Sequence, residues 1–213
     1  MQLAVCVISN RDHAPDFTKS MMGLLAHLAS NPFCDSVGAK IAKNCSLLPD
    51  SRQRMLDECL ADGFTHALLL DDDMVFPSDL CHRLFASQKD LIGVNSLRKN
   101  PDYLHYTARD LEGRWLASRG RTGLQEVESV GLAIFLIKLS VLKSVPKPHF
   151  EVRWNENTQS YTGEDIYFIR KLRAAGHKVY INHDLSNECG HVGSLIYTFD
   201  FYDRFKDGNE NAR

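Results

Sequence analysis

The feature that most constrains the fold is the run His66-Ala-Leu-Leu-Leu-Asp71-Asp72-Asp73-Met74-Val75, in which aliphatic residues lead directly into three carboxylates. An uninterrupted apolar run this short is typical of a strand that is buried on both faces of a mainly parallel sheet. Such sheets bind ligands beyond the carboxyl ends of their strands, where the three aspartates fall. Since side chains alternate along a strand, we expect Asp71 and Asp73 to point the same way and Asp72 the other way.

Two carboxylates on one side of a sheet edge suit Mg2+ or Mn2+, which bind carboxylate and phosphate oxygens. Three adjacent like charges repel each other, and a bound cation would offset that cost. The alternative interpretation is a solvated acidic turn without a ligand.

The rest of the chain predicts an α/β domain in which strands and amphipathic helices alternate. The predicted strands cover residues 3–9, 37–41, 66–70, 90–95, 127–137 and 178–182. The predicted helices cover residues 17–29, 50–63, 77–87, 139–145 and 163–176. Residues 189–193 are expected to form a glycine-hinged loop. The opening β-α-β-α-β order favours a parallel sheet with right-handed crossovers.

An irregular stretch over residues 97–123 interrupts this pattern. Between Arg98 and Thr122 it carries six basic residues against three acidic ones, together with several aromatic residues and glycines. Long irregular loops in compact domains are usually functional or disordered. We expect either a flap over an anionic ligand or a solvated surface hairpin. The whole chain is expected to form one domain over residues 1–200 with a polar C-terminal tail over residues 201–213.

Bulk properties exclude several classes of protein. The net charge of -2 and the pI of about 6.5 give no global case for nucleic-acid or membrane binding. No stretch approaches the length of a membrane span, and the N-terminal residues read as a strand rather than a signal peptide. The six cysteines show no CxxC spacing, which favours reduced thiols in a cytoplasmic protein.

Three motifs follow one another in a recognisable order. They are Leu70-Asp71-Asp72-Asp73-Met74 at a strand end, Gly163-Glu164-Asp165 at a helix start, and Cys189-Gly190-His191 near the C-terminus. In this order, and over about residues 3–198, the sequence resembles glycosyltransferases of the GT-A type, which use nucleotide sugars. The first motif is similar to the DxD motif of that family, and the third to its late metal-binding histidine.

The resemblance implies a Rossmann-like GT-A fold and metal-dependent transfer of a hexosyl or pentosyl group from a nucleoside-diphosphate sugar to a hydroxyl acceptor. It implies Mn2+ or Mg2+ as cofactor, with Asp71, Asp73 and His191 as metal ligands. The donor-binding residues that it implies are Ser9, Asn10, Arg11, Arg52, Asp71 and Asp72. Compact enzymes of this kind occur in bacteria and bacteriophages, so we expect the cytoplasm of a bacterium or of a phage-infected host.

The acceptor implied by the resemblance is a glycan, a protein or a hydroxylated DNA base. In the DNA case, the basic stretch from Arg98 to Arg121 would contact the phosphates. In an inverting enzyme one carboxylate of Glu164 and Asp165 is the general base, and Asp165 is our prediction. In a retaining enzyme both residues would position the acceptor.

Alternatives remain for each motif. Thr162 and Asp165 also match a helix-capping pattern, in which the acid has no catalytic role. His191 is alternatively a surface residue, or a zinc ligand beside Cys189 that needs two further ligands. For the whole protein, the alternatives are a phosphohydrolase similar to haloacid dehalogenases, which would use Asp71 and Asp73, and a non-catalytic nucleotide-binding module.

Overall fold

The computed structural model describes residues 1–9, 14–43, 46–99, 105–193, 196–200 and 202. Its strands are β1 (Gln2–Ser9), β2 (Ser36–Lys43), β3 (His66–Asp71), β4 (Met74–Val75), β5 (Leu91–Gly93), β6 (Leu124–Val127), β7 (Ile134–Lys138), β8 (Arg153–Asn155), β9 (Ser160–Thr162), β10 (Val179–Asn182), β11 (Gly190–Val192) and β12 (Ile196–Tyr197). Its α-helices are α1 (Pro15–Ser30), α2 (Leu48–Ala61), α3 (Leu80–Ala86), α4 (Glu164–Ala174) and α5 (His183–Glu188).

The central sheet has seven strands in the order β2-β1-β3-β7-β5-β10-β6. β1 is parallel to β2 and β3, and β5 is parallel to β10. β7 runs antiparallel between β3 and β5, and β6 runs antiparallel along β10. Five strands therefore share one direction. This confirms the predicted α/β class, a mainly parallel Rossmann-like sheet flanked by helices, as expected for a GT-A fold.

Both faces of the sheet are covered because the strand residues alternate between two cores. On β1, Ala4 and Cys6 face the core beneath α2 and α4, whereas Leu3, Val5 and Val7 face the core beneath α1, α3 and α5. On β3, the members of the Ala-Leu-Leu-Leu run divide between the two cores in the same way. A continuous apolar run is what a strand buried on both sides requires.

Several local predictions were wrong. Residues 127–137 form two strands, because the chain leaves the sheet after Val127 and returns to it at Ile134. α2 begins at Leu48 with Pro49 in its first turn, two residues before the predicted start at residue 50. The expected glycine-hinged loop contains β11, which pairs with β4. The predicted helix over 139–145 is a 3-10 helix over Leu139–Ser144.

The expected irregular region has only isolated bridges and turns over residues 105–123. Residues 100–104 of this region and nearly all of the expected tail over 201–213 lie outside the described residues. The five described cysteines are all free, as predicted. None of the described helices is long and apolar enough to cross a bilayer.

Candidate functional site

The three aspartates lie at the carboxyl end of β3, where the sequence predicted them. Asp71 is the last residue of the strand, and its N–H donates to the carbonyl of Ala133 at 2.9 Å. Asp72 and Asp73 form a turn that leads into β4. Asp71 and Asp73 have different partners: Asp71 pairs with Arg52, whereas Asp73 lies beside Lys99 and His191.

Arg52 joins Asp71 to the acidic motif that begins α4. Its side chain is only 4% exposed, and its Nη1 donates to Glu164 Oε1 at 2.5 Å while its Nη2 donates to Asp71 Oδ1 at 3.1 Å. Burial disfavours the charged guanidinium, but the nearby carboxylates outweigh this and raise the pKa of Arg52. The expected donor-binding residue is therefore buried, and it holds two carboxylates of the site in place.

Glu164 and Asp165 are neighbours with different surroundings. Burial raises the pKa of Glu164, although the Arg52 guanidinium opposes this. Asp165 instead lines a cavity beside α4, and its Oδ1 accepts a hydrogen bond from the N–H of Ile166 at 2.7 Å. The N-cap of α4 is Gly163, which makes no side-chain hydrogen bond, but Asp165 itself accepts this first-turn N–H, as the non-catalytic alternative for the acid expects. A Cβ on Gly163 would lie 2.8 Å from Asp165 Oδ1.

The late motif reaches the aspartates through strand pairing. Because β11 pairs with β4, His191 lies opposite Met74 and next to Asp73. His191 Nε2 is 3.6 Å from Asp73 Oδ1. The other carboxylate oxygen, Asp73 Oδ2, accepts a hydrogen bond from Lys99 Nζ, which also donates to the carbonyl of Val192 at 3.0 Å.

Asp73 and His191 fit a divalent cation. His191 Nδ1–H donates to the carbonyl of Leu97, which leaves the Nε2 lone pair directed towards Asp73. Asp73 Oδ1 is buried and has no hydrogen-bond partner among the described residues. Two acceptor atoms that face each other in this way are satisfied by a cation between them.

Further metal ligands would come from elsewhere. In the described part of the chain, no group of three or more His, Cys, Asp or Glu side chains is placed to hold a metal. Mg2+ and Mn2+ commonly take their remaining ligands from substrate phosphates and water. A zinc site that includes Cys189 is disfavoured, since burial raises the pKa of that thiol and zinc binds the thiolate.

The other predicted donor-binding residues lie at the end of β1. Ser9 is buried and follows Ile8, the residue that pairs with Asp71. Asn10 and Arg11 lie outside the described residues. Asp72 Oδ2 is buried without a hydrogen-bond partner among the residues described. Sequence reasoning missed the contact of Lys99 with Asp73, because the lysine stands in a stretch without periodicity.

Comparison with solved structures supports this fold. A197 from STIV superposes with a TM-score of 0.58 at 18% identity, over 91% of this chain and 86% of that chain. The likeness is one of fold. S. aureus TarS 1-349 in complex with UDP-GlcNAc gives a TM-score of 0.48 at 14% identity, over 85% of this chain and 55% of that chain. The structure of GalNAc-T7 with UDP, GalNAc and Mn2+ gives a TM-score of 0.49 at 12% identity, over 90% of this chain and 44% of that chain.

This chain therefore spans about half the length of the TarS and GalNAc-T7 structures. Neither a protein-family model nor a curated protein matches the sequence. The chemistry of the site consequently rests on its own residues.

Proposed function

We propose that this protein is a glycosyltransferase that moves a sugar from a nucleoside-diphosphate sugar to a hydroxyl acceptor with the help of Mn2+ or Mg2+. The observation that carries the proposal is the approach of His191 Nε2 to Asp73 Oδ1, 3.6 Å apart at the carboxyl end of the central sheet. Parallel α/β sheets bind their ligands at this edge. Within the described residues neither the Nε2 atom of this imidazole nor the Oδ1 atom of this carboxylate has a hydrogen-bond partner, so the two atoms form an incomplete cation site that a diphosphate would complete.

In this proposal Asp73 and His191 hold the divalent cation, which supplies Lewis-acid stabilisation of the leaving diphosphate. Arg52 keeps Asp71 in place at the strand end, where it faces the donor. Ser9, with the neighbouring Asn10 and Arg11, is proposed to contact the nucleoside, since β1 ends beside Asp71. Asp72 is the remaining carboxylate of the turn, and its role as a donor contact stays a prediction.

Asp165 is proposed to act on the acceptor. It takes the proton of the acceptor hydroxyl while the acceptor oxygen forms a bond to the anomeric carbon. The bond from that carbon to the phosphate oxygen breaks, and the nucleoside diphosphate leaves with the electron pair. Glu164 is unsuited to this step, because the Arg52 guanidinium occupies it. This assignment describes an inverting transfer.

The phosphohydrolase alternative fits the same residues less well. It needs Asp71 as a free nucleophile at the start of a covalent step. Here Asp71 Oδ1 accepts a hydrogen bond from the buried Arg52, which lowers its nucleophilicity. The proposed transferase needs Asp71 only as a positioned anion.

A thermal-shift titration of nucleoside diphosphates tests the donor site, with Mn2+, with Mg2+ and with EDTA. A ligand at 100 times its Kd stabilises a protein by about 2.7 kcal/mol, which is several degrees for a chain of this size. We expect one nucleoside diphosphate to stabilise the protein only with metal, and Asp73→Asn to lose the shift. Asp90→Asn is the matched control, since Asp90 lies at the opposite end of the sheet and is half exposed. Stabilisation that ignores the metal, or that survives Asp73→Asn, would refute the assignment.

A further inference from the structure

A cavity of about 470 Å3 is lined by Asp165, and none of the described residues proposed to bind the donor or the metal belongs to its lining. The irregular region 105–123, the 128–133 connection, the β8–β9 hairpin and the start of α4 contribute its walls. Its volume lies in the range of small-ligand sites. Asp165 is the carboxylate that this cavity shares with the proposed chemistry.

Three arginines line the cavity, and two of them have no carboxylate partner among the residues that the structure describes. Arg170 is paired with Glu128, at 2.6 Å from Nε to Oε1. The Arg109 guanidinium stacks on Trp115 at 3.8 Å from the ring centre, and its one hydrogen bond to a described residue goes to the carbonyl of Gly113. Arg98 makes no side-chain hydrogen bond or ion pair within the described part of the chain.

Uncompensated guanidinium groups facing a cavity favour an anionic ligand. Arginine binds phosphate and carboxylate through two parallel hydrogen bonds. The only carboxylate among the described residues that line the cavity is that of Asp165. The lining therefore keeps a positive excess even with Asp165 ionised.

A second observation points to a bound polar ligand. Ser129 is fully buried and lines the cavity, yet its hydroxyl has no hydrogen-bond partner among the described residues. Its position is fixed by the backbone, because the Ser129 carbonyl accepts from the N–H of Arg109 at 2.9 Å. Buried hydroxyl groups are normally satisfied, so a ligand atom is the expected partner.

We propose that the cavity binds the acceptor, and that this acceptor is a small anionic hydroxyl compound or the end of an anionic glycan. This inference rests on the proposed transferase function. The hydroxyl group of the acceptor lies at Asp165, and Arg98 and Arg109 bind the phosphate or carboxylate of the acceptor. Ser129 forms a hydrogen bond with a further polar group of the acceptor. Tyr161, which is 71% exposed, offers a ring face at the rim for a sugar.

Tryptophan fluorescence tests the inference directly, because the chain has only two tryptophans. In a Trp154→Phe background, Trp115 reports on the cavity alone. Glucose 6-phosphate, glucuronate and glucose are titrated as matched probes, together with a duplex DNA oligonucleotide. We expect at least one charged sugar to bind about tenfold or more tightly than glucose, since hydrogen bonds to charged groups are the stronger ones. The two charged probes separate a phosphate ligand from a carboxylate ligand.

The variant Arg98→Gln should remove this preference and leave the unfolding midpoint unchanged, because Arg98 is exposed and makes no ion pair with the described residues. Arg114→Gln is the matched control in the same region: its side chain is 72% exposed, bound to Asp110 and Glu112, and outside the cavity lining. Equal binding of glucose and the charged sugars would overturn the inference, as would an undiminished preference in Arg98→Gln. Binding of the oligonucleotide alone, or of no probe, would also overturn it.

The same protein titrated with nucleoside diphosphates and Mn2+ separates the two proposals. Donor binding without an anion preference refutes only the acceptor inference. An anion preference without donor binding refutes the transferase proposal and leaves an anion-binding cavity.

Discussion

Replacing Arg52 by methionine is the perturbation for which the structure gives the clearest energetic expectation. The guanidinium is 4% exposed and bridges Asp71 and Glu164. Methionine restores much of the apolar volume but leaves both carboxylates without their cation. Removing one partner of a buried ion pair typically costs about 3–5 kcal/mol, because an uncompensated charge remains buried.

The two carboxylates differ in how much of that cost they can escape. Asp71 is 32% exposed and can be rehydrated, whereas Glu164 is 12% exposed and is expected to take up a proton instead. We therefore expect the lower end of the range, a loss of about 3 kcal/mol in the free energy of unfolding. For a chain of this size, that loss lowers the melting temperature by about 6–12 °C.

Urea unfolding of the wild type, Arg52→Met and Arg54→Met measures this loss. Arg54 lies on the same helix, but its side chain is 68% exposed and pairs with the exposed Asp50, so its replacement should cost less than about 0.5 kcal/mol. The double variant Arg52→Met/Glu164→Gln should be less destabilised than the two single effects added together, because one buried charge is gone. A loss below about 1 kcal/mol in Arg52→Met, with unchanged m, would refute the description of this bridge as a buried ionic anchor.

Three further predictions follow from other contacts. Lys99→Met should raise the affinity for Mn2+ about tenfold, as measured by electron paramagnetic resonance, because the Lys99 ammonium competes with the cation for Asp73. Lys138→Met is the control, and weaker Mn2+ binding in Lys99→Met would contradict this competition. Gly93→Ala should lower the free energy of unfolding by about 1–3 kcal/mol, since its Cβ would lie 2.7 Å from the Phe135 ring. Gly23→Ala within α1 should instead raise it by about 0.5–1 kcal/mol, and equal urea midpoints for the two variants would contradict this difference. The pKa of Glu164 in the folded protein is raised above its ordinary 4.5, so its favourable contribution to the free energy of unfolding is complete below pH 4.5 and is lost as the pH rises through the raised pKa. Glu164→Gln should therefore gain stability relative to wild type as the pH rises across this window. A stability difference that stays constant from about pH 4 to 8 would contradict this.

The strands and the edge that carries the site could be predicted because short-range patterns determine them. The apolar run before Asp71 indicates a strand buried on both faces, and both cores of the structure use it. The carboxyl end of such a strand is a ligand-binding edge whatever follows it. This reasoning placed Asp71, Asp72 and Asp73 at the edge without information about their partners.

The partners of these aspartates depend on contacts between distant parts of the chain, which periodicity does not report. His191 reaches Asp73 only because β11 adds to β4, a pairing of two very short strands. Arg52 lies on the buried face of α2, although charged residues are usually exposed, so its burial could not be read from composition. The break at residues 128–133, which brings Ser129 to the cavity, falls within a stretch that reads as one strand.

The most direct test of the central claim is the release of nucleoside diphosphate from a panel of nucleotide sugars, measured for wild type, Asp73→Asn and Asp165→Asn. The transferase account predicts release from one donor that requires Mn2+ or Mg2+ and falls more than about 100-fold in Asp73→Asn. In Asp165→Asn, donor binding should persist while transfer is lost. Release that continues in EDTA, or that proceeds in Asp73→Asn at the wild-type rate, would contradict the account. Phosphate release from a simple phosphomonoester in place of donor turnover would also contradict it.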